Sequence, residues 1–145
     1  RDETTGAIPD LEWSLGGHSL GGYAALRLAP EMTDITTGKV VVWAAGALDH
    51  FVPNLSSDPR AAAYCRVLSI QGSRDAFCSF TPDQNARYRS KLPKRSVYKI
   101  IRGGNHDGFA SYPTVPAMDG IRNIPRKKQH QIACRDTVKF LEGHQ

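Results

Sequence analysis

The sequence predicts an α/β domain whose mostly parallel sheet carries helices on both faces. Three observations point there. Short apolar runs alternate along the chain with segments of helical periodicity, without repeats or low-complexity tracts. Lys39–Ala45 and Val67–Ile70 are continuous apolar runs, as strands buried on both faces are. Polar, glycine-containing stretches follow three of the strand candidates, which is where parallel sheets place ligand-binding loops.

Each element has a local reason. Leu11 to Leu15 reads as a short strand leading into a turn at Ser19. From there to Ala29, Leu20, Ala24 and Leu28 recur every fourth residue, one face of a helix that Pro30 stops. Lys39–Ala45 and Val67–Ile70 follow as strands, the second ending at Gln71-Gly72. Thr81 opens the next helix: its hydroxyl can cap, Pro82 suits the first turn, and Gln84 stands where a capping box needs it. That helix ends before Leu92-Pro93, and Val97–Ile101 is the last strand, broken by Gly103-Gly104. Pro125 opens a closing helix to about Leu141, with Cys134, Val138 and Leu141 as its apolar stripe. Between Gly108 and Ile124 runs a Pro- and Gly-containing loop, with Phe109 and Tyr112 near its start. Its length and its position after a histidine favour a wall of a substrate site.

Bulk properties limit the alternatives. A chain of 145 residues is a single domain, 1–145, with 40% apolar and 23% charged residues, ordinary for a soluble globular protein. No apolar run approaches the roughly 20 residues that span a bilayer, and the start carries no signal-peptide pattern. Because it begins at Arg1, the chain reads as processed, excised or a fragment. A soluble protein is expected, in the cytoplasm or an organellar lumen, with the compartment left open. Net charge is +5, much of it in Arg87–Arg102 and Arg122–Lys128. The two tyrosines among them, Tyr88 and Tyr98, do not make an aromatic interleaving that suggests base stacking, so these groups read as solvated faces and no nucleic-acid partner is expected. The three cysteines, Cys65, Cys78 and Cys134, lack metal spacing. A Cys65–Cys78 bridge is one option and free thiols are the favoured one. No metal, nucleotide or flavin motif is visible, so no cofactor is assigned.

The run Ser14-Leu15-Gly16-Gly17-His18-Ser19-Leu20-Gly21-Gly22 contains a match to G-x-S-x-G between strand and helix candidates. A serine that attacks a carbonyl is held on a tight, strained turn, and Gly17 and Gly21 are expected to let strand and helix pass closely. The helix after it aims amides and a positive dipole end at the reaction centre. Asp75 follows the strand ending at Ile70, and His106 follows the strand ending at Ile101. Nucleophile, acid and base thus appear in that chain order, each just past a strand end. Ser19 would attack, His106 would take and return its proton, and Asp75 would fix the tautomer and stabilise the imidazolium. Asp49, after the strand Lys39–Ala45, is the rival acid. Cys78 is a rival nucleophile with less local support. His50, His130 and His144 lack the strand-end context, His18 is expected to pack within the turn, and Asp107 to cap or bond backbone.

The serine run, Leu68-Ser69-Ile70-Gln71-Gly72-Ser73-Arg74-Asp75, and Gly103-Gly104-Asn105-His106 with Gly108-Phe109 together resemble the α/β-hydrolase superfamily. They resemble above all small microbial-type members with a Gly-Gly-Asn-His loop, a downstream Asp-Gly (here Asp119-Gly120) and a closing helix. The resemblance spans Glu12 to Leu141. It implies a Ser19–His106–Asp75 triad, with the Leu20 amide as one oxyanion donor. It also implies a sheet of about eight strands in the complete fold, of which this chain carries the last four. The strand before Ser19 would then be an edge, and the second oxyanion donor would come from elsewhere. An N-terminal half or a partner chain is therefore expected to complete the sheet. The implied activity is cleavage of carboxylic esters through an acyl-enzyme; thioesters and activated amides share the mechanism. The alternative is a catalytically silent, hydrolase-like structural subunit of a larger assembly.

Overall fold

The computed structural model describes residues 12–46, 49–78, 81–111 and 118–143. Leu11, Tyr112 and His144, named above, lie outside the described residues. Among the described residues four strands alternate with helices: β1 (Leu15–His18), α1 (Leu20–Leu28), β2 (Lys39–Trp43), α2 (Pro59–Tyr64), β3 (Arg66–Gly72), α3 (Pro82–Lys91), β4 (Val97–Ile101) and α4 (Arg126–Leu141). They form one sheet in the order β1-β2-β3-β4, parallel throughout. The register pairs Leu15 with Val40, Val40 with Val67, and Leu68 with Val97.

Alternation across the pleat builds two apolar layers. On one face Val40, Val42 and Val67 join Tyr23, Ala25 and Leu26 of α1, Ala61 of α2 and Tyr88 of α3. On the other, Val41, Leu68, Ile70 and Ile101 meet Phe109 and the α4 residues Ala133 and Phe140. Helices thus cover both faces, as the continuous apolar runs require. At the start of β2, Lys39 Nζ donates to the Leu141 carbonyl, tying the sheet to the last turn of α4. The Tyr88 hydroxyl, buried against Ser69 Oγ at 2.9 Å, has its pKa pushed far up by burial.

Several elements match the sequence reading closely. Val97–Ile101 is β4, and α3 opens with a complete capping box: Gln84 N donates to Thr81 Oγ1 at 3.2 Å and Thr81 N to Gln84 Oε1 at 2.9 Å. The first strand differs. It occupies Leu15–His18, with residues 12–14 outside the strand, so the Gly16-Gly17 pair lies within the ladder. Backbone pairing to β2 decides this, and side-chain propensity is overridden. The second strand stops at Trp43, before the expected Ala45, because Ala44 turns to φ 50°. An unanticipated helix, α2, starts at an Asp-Pro signal: Ala61 N donates to Asp58 Oδ1 at 2.8 Å and Pro59 takes the first turn.

Both helical stripes are also corrected. Leu20, Ala24 and Leu28 face outward, while Gly22, Tyr23, Ala25 and Leu26 are buried. Spacing by four is common to both faces of α1; only packing on β2 distinguishes them. In α4 the buried residues are Gln129, Ala133 and Phe140, with Cys134 and Val138 exposed. All three cysteines are free, Cys65 and Cys78 buried and Cys134 exposed, so no Cys65–Cys78 bridge forms. Among the described residues no helix is long and apolar enough to cross a membrane.

The two faces of α1 give a direct test. Leu26 is 0% exposed and Leu28 48% exposed. Leu26→Ala is expected to lower unfolding free energy by about 2–5 kcal/mol, and Leu28→Ala by well under about 1 kcal/mol, in denaturant titrations.

Candidate active site

The turn between β1 and α1 is built around one strained residue. Ser19 adopts φ 53°, ψ −122°, a conformation that side-chain-bearing residues seldom take. Its amide donates to the Trp43 carbonyl at 2.9 Å, which extends the β1–β2 ladder by one bond, and its carbonyl accepts the Gly22 amide at 2.9 Å. A serine at a helix N-cap ordinarily turns its oxygen onto the first-turn amides; here it makes no such bond. Instead Ser19 Oγ lies 3.0 Å from His106 Nε2.

Close approach of strand and helix is real, but its residues differ from the expectation. A Cβ on Gly17 would lie 2.3 Å from the Gly21 carbonyl carbon and oxygen. A Cβ on Gly21 itself would meet nothing within 4 Å, whereas one on Gly22 would come 2.6 Å from Ala45 Cβ. The clearance needs Gly17 and Gly22; Gly21 contributes only its backbone.

His106 and Asp75 arrive from the neighbouring strands. Asp75 follows β3 with its side chain fully buried, and its oxygens lie 3.1 and 3.2 Å from His106 Nδ1. Asp75 Oδ1 also accepts the Phe77 amide at 2.9 Å and the Cys78 amide at 2.8 Å, which fixes the carboxylate. His106 is buried between the rings of His18 and Phe77, each with centroids 4.8 Å away. Burial presses its pKa down. The Asp75 carboxylate, by hydrogen bond and charge, opposes this, Asp119 and Asp107 add to it, and the imidazole ends above its ordinary value. His18 moves the other way, lowered by burial and by the neighbouring His106. Relative to the unfolded chain, the raised His106 stabilises the fold fully below about pH 6.5. That contribution disappears as pH climbs through the folded-state value.

The structure thus brings Ser19, His106 and Asp75 into one hydrogen-bonded line. Leu20 opens α1, so its amide is among the first-turn donors that have no intrahelical acceptor. Its side chain is 78% exposed beside Ser19. Of the rival groups, Asp49 starts a single 3₁₀ turn, Asp49–Phe51, and its side chain is outside the described residues. His50 is exposed in that same turn and His130 lies on α4. Cys78 is buried, its thiol donating to the Ala44 carbonyl at 3.2 Å. Asp75, Cys78 and His106 offer donor atoms within 4.8 Å of one another, the kind of set that can hold a metal ion. In this arrangement Asp75 and His106 already bond each other, and the Cys78 sulfur bonds backbone.

Two residues support this loop in ways the sequence reading did not anticipate. Asn105 N donates to Gln129 Oε1 at 3.2 Å, and Gln129 Nε2 returns a bond to the Asn105 carbonyl at 2.7 Å. Gln129, fully buried on α4, therefore pins the backbone immediately before His106. Asn105 stood inside a noticeable motif; Gln129 sits in an unremarkable polar stretch and gave no signal. A groove of about 390 Å³ runs along β1, lined by Leu15, Val41, Trp43, Phe109, Thr137 and Leu141 among others. Its lining includes Gly17 and His18, the two residues before Ser19.

The turn geometry predicts opposite responses at two glycines. Gly17→Ala should destabilise the fold by about 1–3 kcal/mol through backbone displacement, whereas Gly21→Ala should be neutral or raise stability by about 0.5–1 kcal/mol, as read in thermal unfolding.

Comparison with known proteins bears on the same architecture. The family model described as the alpha/beta hydrolase family matches residues 2–131. No curated protein matches the chain. A solved monoacylglycerol lipase from Paleococcus ferrophilus is similar, with TM-score 0.56 and 17% identity over 92% of this chain and 69% of that one. An alpha-beta serine hydrolase homologue from Coxiella burnetii gives TM-score 0.53 and 15% identity, over 85% of this chain and 48% of that one. At such identities the likeness is one of fold, and the chain spans only part of either structure. With its matched span covering most of the sequence, the chain belongs to the alpha/beta hydrolase family.

Proposed function

We propose that this chain carries the catalytic groups of a serine hydrolase that cleaves carboxylic esters through an acyl-enzyme. One observation carries the reading: Ser19 Oγ, His106 and Asp75 form a continuous relay with contacts of 3.0 and 3.1 Å. In the first step Ser19 Oγ bonds to the ester carbonyl carbon while its proton passes to His106 Nε2. Asp75 holds Nδ1–H and stabilises the imidazolium. The Leu20 amide, with the positive end of α1, receives the developing oxyanion. His106 then protonates the departing alkoxide; water, deprotonated by the same nitrogen, adds to the acyl carbon, and His106 returns that proton to Ser19 Oγ as the acyl bond breaks and the acid leaves.

The similar structures, a monoacylglycerol lipase and an alpha-beta serine hydrolase homologue, support this class. Among the described residues β1 pairs on its β2 side only. A strand added along its other side, from the same protein or from a partner chain, would place a second oxyanion donor near Leu20. On this reading residues 1–145 belong to one hydrolase domain that such a strand completes. The structural-subunit reading shares this fold but requires no reactive serine.

A fluorophosphonate probe is expected to form one adduct, at Ser19, in the folded full-length protein. Its absence there would favour the non-catalytic reading. Ser19→Ala or His106→Ala should cost about 10⁴–10⁶ in kcat, and Asp75→Asn about 10⁴. Because the base must be neutral, kcat/KM should rise with pH along a limb centred above pH 6.5. In Asp75→Asn the residual activity should show that limb moved to lower pH.

A further inference from the structure

Asp119 has no part in the chemistry above, yet its carboxylate sits where two loops of the site meet. Oδ1 accepts the Ala76 amide at 3.2 Å and the Gly120 amide at 2.7 Å, and Oδ2 accepts the Asp107 amide at 2.8 Å. Ala76 directly follows Asp75, and Asp107 directly follows His106. A single side chain therefore grips the residue after the acid and the residue after the base. The β3–β4 ladder pairs Gly72 with Ile101 and runs out through an Arg74 N to Gly104 O bond at 2.8 Å, just short of both groups. Asp119 carries the connection past that point.

Its own segment is anchored on both loops. Asn105 Nδ2 donates to the Gly120 carbonyl at 2.8 Å, and the Asn123 amide to the Gly103 carbonyl at 3.0 Å. Gly120 rests so closely on the acid loop that a Cβ there would lie 1.9 Å from the Arg74 carbonyl oxygen. We propose that Asp119 is a positioning residue of the hydrolytic site, a clamp between the Asp75 and His106 loops that sets the geometry of proton transfer. The proposal rests on the serine-hydrolase reading. Carboxylate charge serves it as well as bonding. The titratable groups facing His106 are Asp75, Asp119, Asp107, His18 and the Cys78 thiol. Against the lowering by burial, Asp119 is the carboxylate that raises the imidazole most after Asp75.

The test compares Asp119→Asn, which keeps the shape but loses the charge and one acceptor, with wild type and with Met118→Ala, an exposed neighbour. NMR titration of the His106 ring, which needs no turnover, should move to lower pH in Asp119→Asn and stay put in Met118→Ala. Rates should show the acid limb shifted in the same direction and kcat lowered about 10- to 100-fold, with KM within about twofold. An unmoved His106 titration, or a kcat within about twofold of wild type, overturns the proposal. Should the variant not fold, hydrogen exchange in the wild-type protein decides. The Ala76 and Asp107 amides are expected to be protected and to open together; free exchange at either overturns the clamp. Failure of the fluorophosphonate adduct would count against the hydrolase reading alone, since titration and exchange are read without substrate.

Discussion

The bond pair made by the His106 imidazole, to Ser19 on one side and Asp75 on the other, is what the rest of the structure serves. Its partners lie 87 and 31 residues away in sequence. A parallel sheet solves the distance problem, because every strand ends at the same rim. The order β1-β2-β3-β4 still leaves β1 and β4 three strand spacings apart, about 14 Å. The loop after β4 must therefore return across the rim to reach the serine. A single 3₁₀ turn, Asp107–Phe109, and the Gln129 amide pair hold that return.

Strain collects at the same rim. Among the described residues the two non-glycine positions with positive φ are Ser19 and Ala44, next to each other across the β1–β2 register. Each departs from favourable backbone by about 1–3 kcal/mol, and each is held by ladder bonds at its strand end. Ser19 N meets the Trp43 carbonyl, Ala44 N meets the Ile70 carbonyl, and the Ala44 carbonyl also accepts the Cys78 thiol. The contact of Gly17 with the first turn of α1 supports the same conformation. Rigidity of this kind keeps the hydroxyl from collapsing onto the helix amides, where an N-cap serine would otherwise settle.

How far the sequence could be read follows from which forces are local. The capping box at Thr81 and Gln84 depends on residues three apart, and the structure keeps it unchanged. The order of strand ends was legible because it follows from apolar runs and the polar residues after them. The buried face of α1 was not legible, since Leu20, Ala24 and Leu28 carry the same spacing as the residues that pack on β2. The first strand was displaced because Gly16 and Gly17 have little intrinsic preference for a sheet and gain it only from β2. Within the candidate site, motif and order singled out Ser19, His106 and Asp75, and the structure places each within hydrogen-bonding distance of the next. Gln129 could not be singled out, because nothing before folding distinguishes its amide from any other on a polar helix.

Trp43 illustrates a practical outcome of this architecture. It ends β2, its indole nitrogen donates to Thr137 of α4 at 3.2 Å, and its ring stands 5.9 Å from Phe109, the last residue of the turn after the histidine. The chain has one other tryptophan, Trp13, which is largely exposed. Emission from Trp43 would therefore serve as a built-in optical gauge of how the histidine loop sits, readable without any label and blue-shifted relative to the solvent-facing fluorophore.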